Sequence, residues 1–300
     1  MGRVEGNGVV GDVSFLGLGD MGFALANTIA KAGYDMIVWN RTKERAAPLL
    51  EHGARLASSP AEAISESPIV VVCVSDYEIA DKFLRTTDCL AALKGRVLVQ
   101  LSSGSPKLAR TTCEWVHLAG ASYLDGEIVA YSNQIGGPEA QILIAGDETA
   151  YAKAEPLLSI LSPLTEYLGD APAKASALNL AIISAGVGLI TGVINGAAIC
   201  EAAGISFVEF GRHFPLSVGS DAEALVESLR KIQDGELDKS DASIEGWVPI
   251  VDSMVEYARE TGYDPEISKF IRRFFEQAID QRLGAHDVGA LINVLRPDRQ

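Results

Sequence analysis

The first half of the chain alternates between short apolar runs and longer segments in which apolar residues recur at helical spacing. The apolar runs predict strands, and they cover residues 13–16, 36–40, 69–74, 97–101 and 141–145. The run at 69–74 has no polar residue, which is typical of a strand buried on both faces of a parallel sheet. The pairs Ser59-Pro60 and Ser105-Pro106 predict the starts of two of the intervening helices. This alternation indicates an α/β domain with a doubly wound parallel sheet.

A stretch without any charge covers residues 177–200. As a helix it would be about 36 Å long at about 1.5 Å per residue, which is enough to cross a bilayer. Gly188, Gly192 and Gly196 recur at every fourth position and would form a smooth ridge for close packing of another helix. Because the flanking segments have the patterns of a soluble protein, we expect a buried helix that joins two domains. A membrane anchor is the alternative.

The remainder of the chain predicts helices only. Helical spacing of apolar residues covers residues 205–213, 222–233, 247–258 and 270–279, with a break expected at Pro215 and Gly219. We therefore expect a flexible leader at 1–11, a Rossmann domain at 12–168, a long interdomain helix at 169–203 and an all-α domain at 204–300.

Composition excludes several classes of protein. The 300 residues suit two domains, and a 48% hydrophobic content is sufficient for a sizeable core. The formal net charge of −15 argues against a nucleic-acid partner, which requires a basic face. The four cysteines form no Cys-x-x-Cys pair and the four histidines lack metal-ligand spacing, so we expect no metal site and a reducing, cytoplasmic location.

A glycine motif follows the first predicted strand directly. It comprises Gly17, Leu18, Gly19, Asp20, Met21 and Gly22, and a predicted helix and a second strand come after it. In this βαβ context Gly17 permits a tight turn, Gly19 lets a pyrophosphate approach the backbone, and Gly22 lets the helix pack closely on the strand. The unpaired N–H groups at the start of the helix would then face the phosphates. The motif therefore predicts a dinucleotide site.

The end of the second strand indicates which dinucleotide binds. An NAD-binding chain usually has Asp or Glu there to hold the ribose hydroxyls. This chain has Asn40, Arg41, Thr42 and Lys43 instead. Because the Arg41 guanidinium can make paired hydrogen bonds to a 2′-phosphate and the other three supply further donors, the sequence predicts NADPH.

Other candidate site residues follow the third and fourth predicted strands. Val74 and Ser75 lie at the carboxyl end of one strand, and Ser102 and Ser103 follow the next. Ligands bind at the carboxyl ends of the strands in such sheets, so we expect these four residues to bind the cofactor, with Ser102 and Ser103 at the nicotinamide edge. Simple loop hydroxyls are an equally good interpretation of the two later serines.

Two specific motifs follow the fourth predicted strand, Tyr-Leu-Asp-Gly-Glu at 123–127 and Ile-Gly-Gly-Pro-Glu at 135–139. Together with the glycine motif, they resemble the imine reductase and reductive aminase family, a branch of the β-hydroxyacid dehydrogenase superfamily with a 6-phosphogluconate dehydrogenase-like NAD(P)-binding domain. The resemblance implies NADPH-dependent reduction of imines or iminium ions to amines. It also implies a homodimer with intertwined C-terminal helices. The net charge and the patterns that flank residues 177–200 separately lead us to expect no nucleic-acid and no membrane partner. Candidate catalytic residues are Asn179, Ser103, Tyr131 and Tyr123.

Asn179 departs from the pattern that the resemblance implies, because the family has a proton-donating Asp or Tyr at this position of the long helix. A primary amide is not a general acid at neutral pH. Asn179 could donate a hydrogen bond or hold a water near the imine nitrogen, or it could have a structural role. A basic imine could also arrive already protonated, so that the protein needs only to position it.

Two alternative functions remain open beside imine reduction. A β-hydroxyacid dehydrogenase would act on 3-hydroxy or 3-oxo acids, but it would carry a catalytic lysine and an Asp-x-Pro-Val-Ser-Gly-Gly motif. Neither is present, and Lys174 lies on a helix face turned by about 140° from the expected position. The other alternative is an NADPH-binding protein without turnover, which would fit the missing proton donor.

Overall fold

The computed structural model describes residues 11–238, 240 and 242–296. Of the predicted leader only Gly11 is among them, and its N–H donates to the Glu66 carbonyl at 3.0 Å. The other leader residues lie outside the described part of the chain.

Eight strands form one sheet in the described chain, in the order β3-β2-β1-β4-β5-β6-β7-β8. All neighbouring pairs are parallel except β6 and β7, which are antiparallel. The strands are β1 Val13–Leu16, β2 Met36–Trp39, β3 Arg55–Leu56, β4 Ile69–Val72, β5 Val97–Gln100, β6 Ser122–Val129, β7 Gln141–Gly146 and β8 Leu164–Tyr167. The strand order reverses between β1 and β4, which is where doubly wound sheets bind their ligands. The predicted α/β fold class is confirmed.

Helices cover both faces of this sheet. They are α1 Asp20–Lys31, α2 Ala47–Leu50, α3 Pro60–Ser65, α4 Tyr77–Leu84, α5 Thr87–Leu93, α6 Pro106–Leu118 and α7 Glu148–Leu161. Successive residues of a strand point to opposite faces, so Phe15 joins one apolar core and Leu16 the other. Both predicted helix starts are confirmed, because Ser59 Oγ accepts the Glu62 N–H at 3.1 Å and Ser105 Oγ accepts the Leu108 N–H at 3.3 Å.

The chain divides into two compact units, and the division falls inside a 30-residue helix, after Ser184. The helices from residue 173 onward are α8 Ala173–Ala202, α9 Phe207–Asp234, α10 Ile244–Thr261, α11 Glu266–Asp280 and α12 Ile292–Leu295. Ile244, Ala278 and Ala290 form a small apolar core in the second unit. Beside it Lys231 Nζ lies 2.9 Å from Asp287 Oδ2, an ion pair that is mostly buried.

The predicted break at Pro215 and Gly219 is wrong. Residues Phe207–Asp234 form a single helix with Pro215 inside it. A proline in a helix removes one backbone donor and crowds the carbonyl four residues earlier, which costs about 3 kcal/mol, so the neighbouring residues must favour the helix. The Ala-Glu-Ala-Leu run at 222–225 consists of strong helix formers, which favours continuation.

The expectation that the long uncharged helix is buried is also wrong for the single chain. Within the described residues α8 is the one helix long and apolar enough to cross a membrane, with a mean hydropathy of 2.1, and none of its most apolar window is buried. Of the predicted ridge, Gly196 has a neighbour: a Cβ there would lie 2.8 Å from the Phe210 ring of α9. Gly188 and Gly192 have open space beside them.

Candidate active site

The glycine motif forms an open cradle at the start of α1. Gly17 has a φ of +102°, and a Cβ there would lie 2.2 Å from the Cys73 carbonyl oxygen, so the turn requires glycine. Gly19 precedes α1 without a side-chain cap, and a Cβ on it would meet nothing within 4 Å. Free N–H groups therefore face open space at the positive end of the helix, which fits a pyrophosphate.

Asn40 fastens this cradle to the end of β2. Its Oδ1 accepts the Leu18 N–H at 2.9 Å, and its Nδ2 donates to the Thr42 carbonyl at 2.8 Å. Arg41, Thr42 and Lys43 are exposed beside it. Of the predicted donors, these three are therefore the ones whose side chains are accessible to a 2′-phosphate.

Arg45 was not predicted as a site residue. Its guanidinium donates to the Leu18 carbonyl at 3.0 Å and lies 3.6 Å from Asp20 Oδ1. It lines a cavity of about 330 Å³ next to the glycine motif, together with Leu18, Asp20, Phe23, Glu44 and Pro48. The alternation of basic residues at 41, 43 and 45 is the sequence signal that could have revealed it.

The two serines after β5 have different positions. Ser102 is buried, and its hydroxyl accepts the Val74 N–H at 3.0 Å, so it joins the ends of β4 and β5. Ser103 is exposed and lines a second, larger cavity.

That larger cavity has a volume of about 610 Å³ and lies at the carboxyl ends of β4 and β5 in the first unit. It brings together six of the predicted site residues, namely Met21, Val74, Ser75, Ser103, Tyr131 and Asn179. The rest of its lining is mainly apolar, and Glu127 is the single carboxyl group among the lining residues that the structure describes. Tyr131 stands at its edge with its side chain 79% exposed.

Tyr123 lies outside this lining, in a buried cluster around Asp125. Its hydroxyl is 3.4 Å from Asp125 Oδ1 and 2.9 Å from the Tyr77 hydroxyl, and Tyr77 also donates to Asp125. Ser176 of α8 donates to the other carboxylate oxygen from its backbone N–H at 3.3 Å and from its hydroxyl at 2.5 Å. Burial raises the pKa of Asp125, against the opposing effect of these hydrogen bonds. Burial and the nearby Asp125 likewise hold the pKa of Tyr77 well above its usual range.

Glu127, like Arg45, is a functional candidate that the sequence did not reveal. Its side chain is 5% exposed, and its Oε2 accepts a hydrogen bond from Asn179 Nδ2 at 2.7 Å. Its buried Oε1 has no hydrogen-bond partner among the described residues. Burial, and secondarily repulsion from Asp125, raise the pKa of Glu127 to about 7, while the hydrogen bond from Asn179 opposes the shift. Strand alternation was the available signal, because residues 125 and 127 of β6 share a face.

Lys174 does not reach the cavity. It is exposed, and its Nζ donates to the Leu168 carbonyl at 3.1 Å. Its position does not support the alternative in which a lysine of α8 is catalytic.

Two family descriptions match the chain. Residues 12–169 match the NAD binding domain of 6-phosphogluconate dehydrogenase, and residues 171–297 match the NADPH-dependent reductive aminase-like C-terminal domain. An NADPH-dependent reductive aminase from Aspergillus oryzae is 30% identical over 288 residues, which are 95% of this chain and 97% of that protein.

Solved structures of two imine reductases have a similar fold over almost the whole length of this chain. An imine reductase from Myxococcus stipitatus in complex with NADP+ is 30% identical with a TM-score of 0.88, and the match covers 95% of this chain and 100% of that one. An imine reductase from Aspergillus terreus in complex with NADPH4 and dibenz[c,e]azepine is 30% identical with a TM-score of 0.88, over 95% of this chain and 99% of that one.

The sheet, the glycine cradle and the adjoining cavity define a dinucleotide-dependent oxidoreductase with a helical second unit. The chain belongs to the NADPH-dependent reductive aminase and imine reductase family. It is therefore an NADPH-dependent oxidoreductase that acts on C=N bonds, and the cofactor predicted from the sequence is confirmed.

Proposed function

We propose that this chain reduces cyclic imines and iminium ions to amines. The observation that carries the proposal is the cavity of about 610 Å³, whose mainly apolar wall contains the Glu127–Asn179 pair. An apolar ring fits such a wall, and the polar pair offers a partner for its nitrogen. The imine reductase from Aspergillus terreus, solved with dibenz[c,e]azepine, supports this substrate class because that compound carries nitrogen in a ring.

The residues that would hold NADPH are those predicted from the sequence. The pyrophosphate would lie on the motif formed by Gly17, Leu18, Gly19, Asp20, Met21 and Gly22, and the 2′-phosphate beside Arg41, Thr42 and Lys43. Asn40 would keep these two parts together, since it hydrogen-bonds both Leu18 and Thr42. Val74, Ser75, Ser102 and Ser103 would border the nicotinamide. When bound, NADPH supplies the hydride that the imine carbon accepts.

The side chains around the substrate have different roles in this proposal. Ser103, Tyr131 and Asn179 line the cavity and would offer hydrogen bonds to a bound substrate. Asn179 uses one amide hydrogen on Glu127, so its carbonyl oxygen and second N–H are available to ligand or water. Tyr123 would act indirectly, because its hydroxyl contacts Asp125 and not the cavity.

The test is the consumption of NADPH, followed by absorbance, with 1-pyrroline and 3,4-dihydroisoquinoline as substrates. We expect saturable, imine-dependent consumption. Absence of turnover over a broad imine panel, together with reduction of a 3-oxo acid, would assign a β-hydroxyacid dehydrogenase activity instead. Tight NADPH binding without consumption on imines or carbonyl compounds would assign a non-catalytic nucleotide-binding protein.

We also propose that the protein is a cytoplasmic homodimer with intertwined C-terminal helices and without a membrane or nucleic-acid partner. Support comes from the large apolar side chains that the single chain leaves exposed on α8 and α9, which include Ile183, Val187, Leu189, Ile190, Ile194, Val208, Leu216, Leu225, Val226 and Leu229. Large apolar side chains left exposed in this way mark an interaction site. Extraction without detergent as a dimer supports this assembly, and a requirement for detergent contradicts it.

The boundaries that we propose for the domains remain 12–168, 169–203 and 204–300. The family descriptions meet between residues 169 and 171, close to the first of these boundaries. The compact units divide after Ser184, inside the interdomain helix.

A further inference from the structure

We propose that Glu127 is the acid that protonates the imine nitrogen and that Asn179 is the residue that positions its carboxyl group. This inference rests on the proposed imine reduction, and it assigns the source of the proton in a chain whose long helix has an amide where a donor is expected.

The hydrogen bond between the two side chains orients the carboxyl group. Asn179 Nδ2 donates to Oε2 of Glu127 at 2.7 Å, so Oε2 is the accepting oxygen and the acidic proton belongs on Oε1. Oε1 has no hydrogen-bond partner among the described residues, although it is buried. A buried carboxyl oxygen without a partner is unfavourable in the charged form and is ready to donate as a hydroxyl.

The surroundings favour a carboxyl group that is neutral before the reaction. The titratable groups around Glu127 are Asp125 on the same strand, Tyr77 of α4, and Cys73 and Tyr131 in the cavity wall. Among the described residues that line the cavity there is no Lys, Arg or His. Burial and the neighbouring Asp125 therefore act together, and they raise the pKa of Glu127 to about 7. A general acid is most effective when its pKa lies near the working pH.

The location also fits the reaction. Glu127 lines the same cavity as Val74, Ser75 and Ser103, which follow β4 and β5 at the edge where the nicotinamide would lie. A substrate carbon at that edge would have its nitrogen within the same cavity as Glu127 and Asn179. The pair is therefore available to a nitrogen while the hydride reaches the carbon.

The step is balanced. The imine carbon gains a C–H bond from the hydride, and the π electron pair of the C=N bond moves onto nitrogen. Nitrogen forms an N–H bond with the proton of Glu127, whose O–H bond breaks. The products are the amine, NADP+ and the Glu127 carboxylate, which takes a proton from water before the next turnover.

The test compares Glu127→Gln with the wild-type enzyme on two substrates of nearly the same shape. One is 3,4-dihydroisoquinoline, which needs a proton when it binds as the neutral imine, and the other is its N-methyl iminium ion, which has a permanent charge and needs only a hydride. Loss of an acid typically lowers the rate 10²–10⁴-fold. We expect E127Q to lose about 100-fold or more in kcat on the imine and to stay within about threefold on the iminium ion. Glu155→Gln, an exposed residue of α7, is the control and should change neither.

NADPH affinity and the circular dichroism spectrum of E127Q establish that the variant is folded. An equal loss on both substrates would overturn the assignment, because Glu127 would then act on hydride transfer or on the fold. Unchanged kinetics on both would also overturn it. A wild-type enzyme that reduces neither substrate contradicts the proposed function itself, and it is recognised by the wild-type rates alone.

Discussion

Asn179 of the long helix donates its side-chain amide to Oε2 of Glu127 on β6 at 2.7 Å. The helix position at which the family resemblance places a proton donor is thus filled by a group that binds a carboxyl group. The acid and its support lie on different elements, and both side chains line one cavity. This relationship predicts how the rate should respond to pH and to substitution.

The reduction rate should fall as the pH rises through about 7. Because burial raises the pKa of Glu127 to about 7, its carboxyl group is protonated below this pH and loses its proton above it. The measurement is kcat against pH at saturating NADPH, with a cyclic imine of such low basicity that it stays neutral throughout. In E127Q this fall in kcat above pH 7 should be absent. A fall that persists in the variant would arise from the titration of another group.

Asn179→Ala should lower kcat about tenfold, and the pH at which kcat falls should rise by about one pH unit. The amide stabilises the carboxylate through its hydrogen bond, so its removal raises the pKa of Glu127 further. NADPH affinity should be unchanged. A lower kcat that still falls at the same pH as in the wild type would show that Asn179 contributes only to structure.

Arg41→Ala should weaken NADPH binding by about 10–100-fold and leave NADH binding nearly unchanged, because hydrogen bonds to charged groups contribute about 1.5–3 kcal/mol. The measurement is the dissociation constant of each cofactor from nicotinamide fluorescence. Arg110→Ala, at an exposed position of α6, is the control. Equal weakening of both cofactors would contradict recognition of the 2′-phosphate.

Substitution by alanine should affect stability at one glycine of the motif and NADPH binding at another. Gly17→Ala should lower the free energy of unfolding by roughly 2 kcal/mol or more, because its φ is +102° and a Cβ would lie 2.2 Å from the Cys73 carbonyl oxygen. Gly19→Ala should leave stability nearly unchanged, since nothing lies within 4 Å of its Cβ, while it weakens NADPH binding. Urea unfolding and cofactor titration measure the two effects. Unchanged NADPH binding in G19A would contradict the cradle.

Ile190→Asp should dissociate the proposed dimer. The side chain is 64% exposed on α8, and a charge in an apolar interface is costly to desolvate. Light scattering should give the mass of one chain for the variant and of two chains for the wild type. Leu118→Asp is the matched control, because Leu118 is an exposed apolar residue of α6 in the first unit. Dimers of I190D would place the interface elsewhere.

The strands and the glycine cradle were predictable because their signals are local. An apolar run followed by the glycine motif contains both the strand and the turn, and Ser59 and Ser105 specify two helix starts through bonds to residues three positions away. The continuous helix through Pro215 was not predicted, because a local signal for a break was outweighed by the helix formers that follow it.

The buried polar cluster around Glu127 could not be predicted from the sequence alone. Glu127 and Asn179 are 52 positions apart, and Asp125 and Ser176 are 51 apart, so only the fold brings them together. The pKa of Glu127 depends on its burial, which the sequence does not contain. Tyr123 is a candidate catalytic residue by its sequence motif, but its buried hydroxyl contacts Asp125 rather than the cavity.

The family and the site imply that the chain transfers a hydride from NADPH to the carbon of a C=N bond. The most direct measurement uses NADPH carrying deuterium at C4 of the nicotinamide, with 3,4-dihydroisoquinoline as substrate, and analyses the amine by mass spectrometry and NMR. We predict one deuterium in each product molecule, bound to the carbon of the former C=N bond. Amine without deuterium from either C4-labelled form of the cofactor, or no amine while a 3-oxo acid is reduced, would contradict the account.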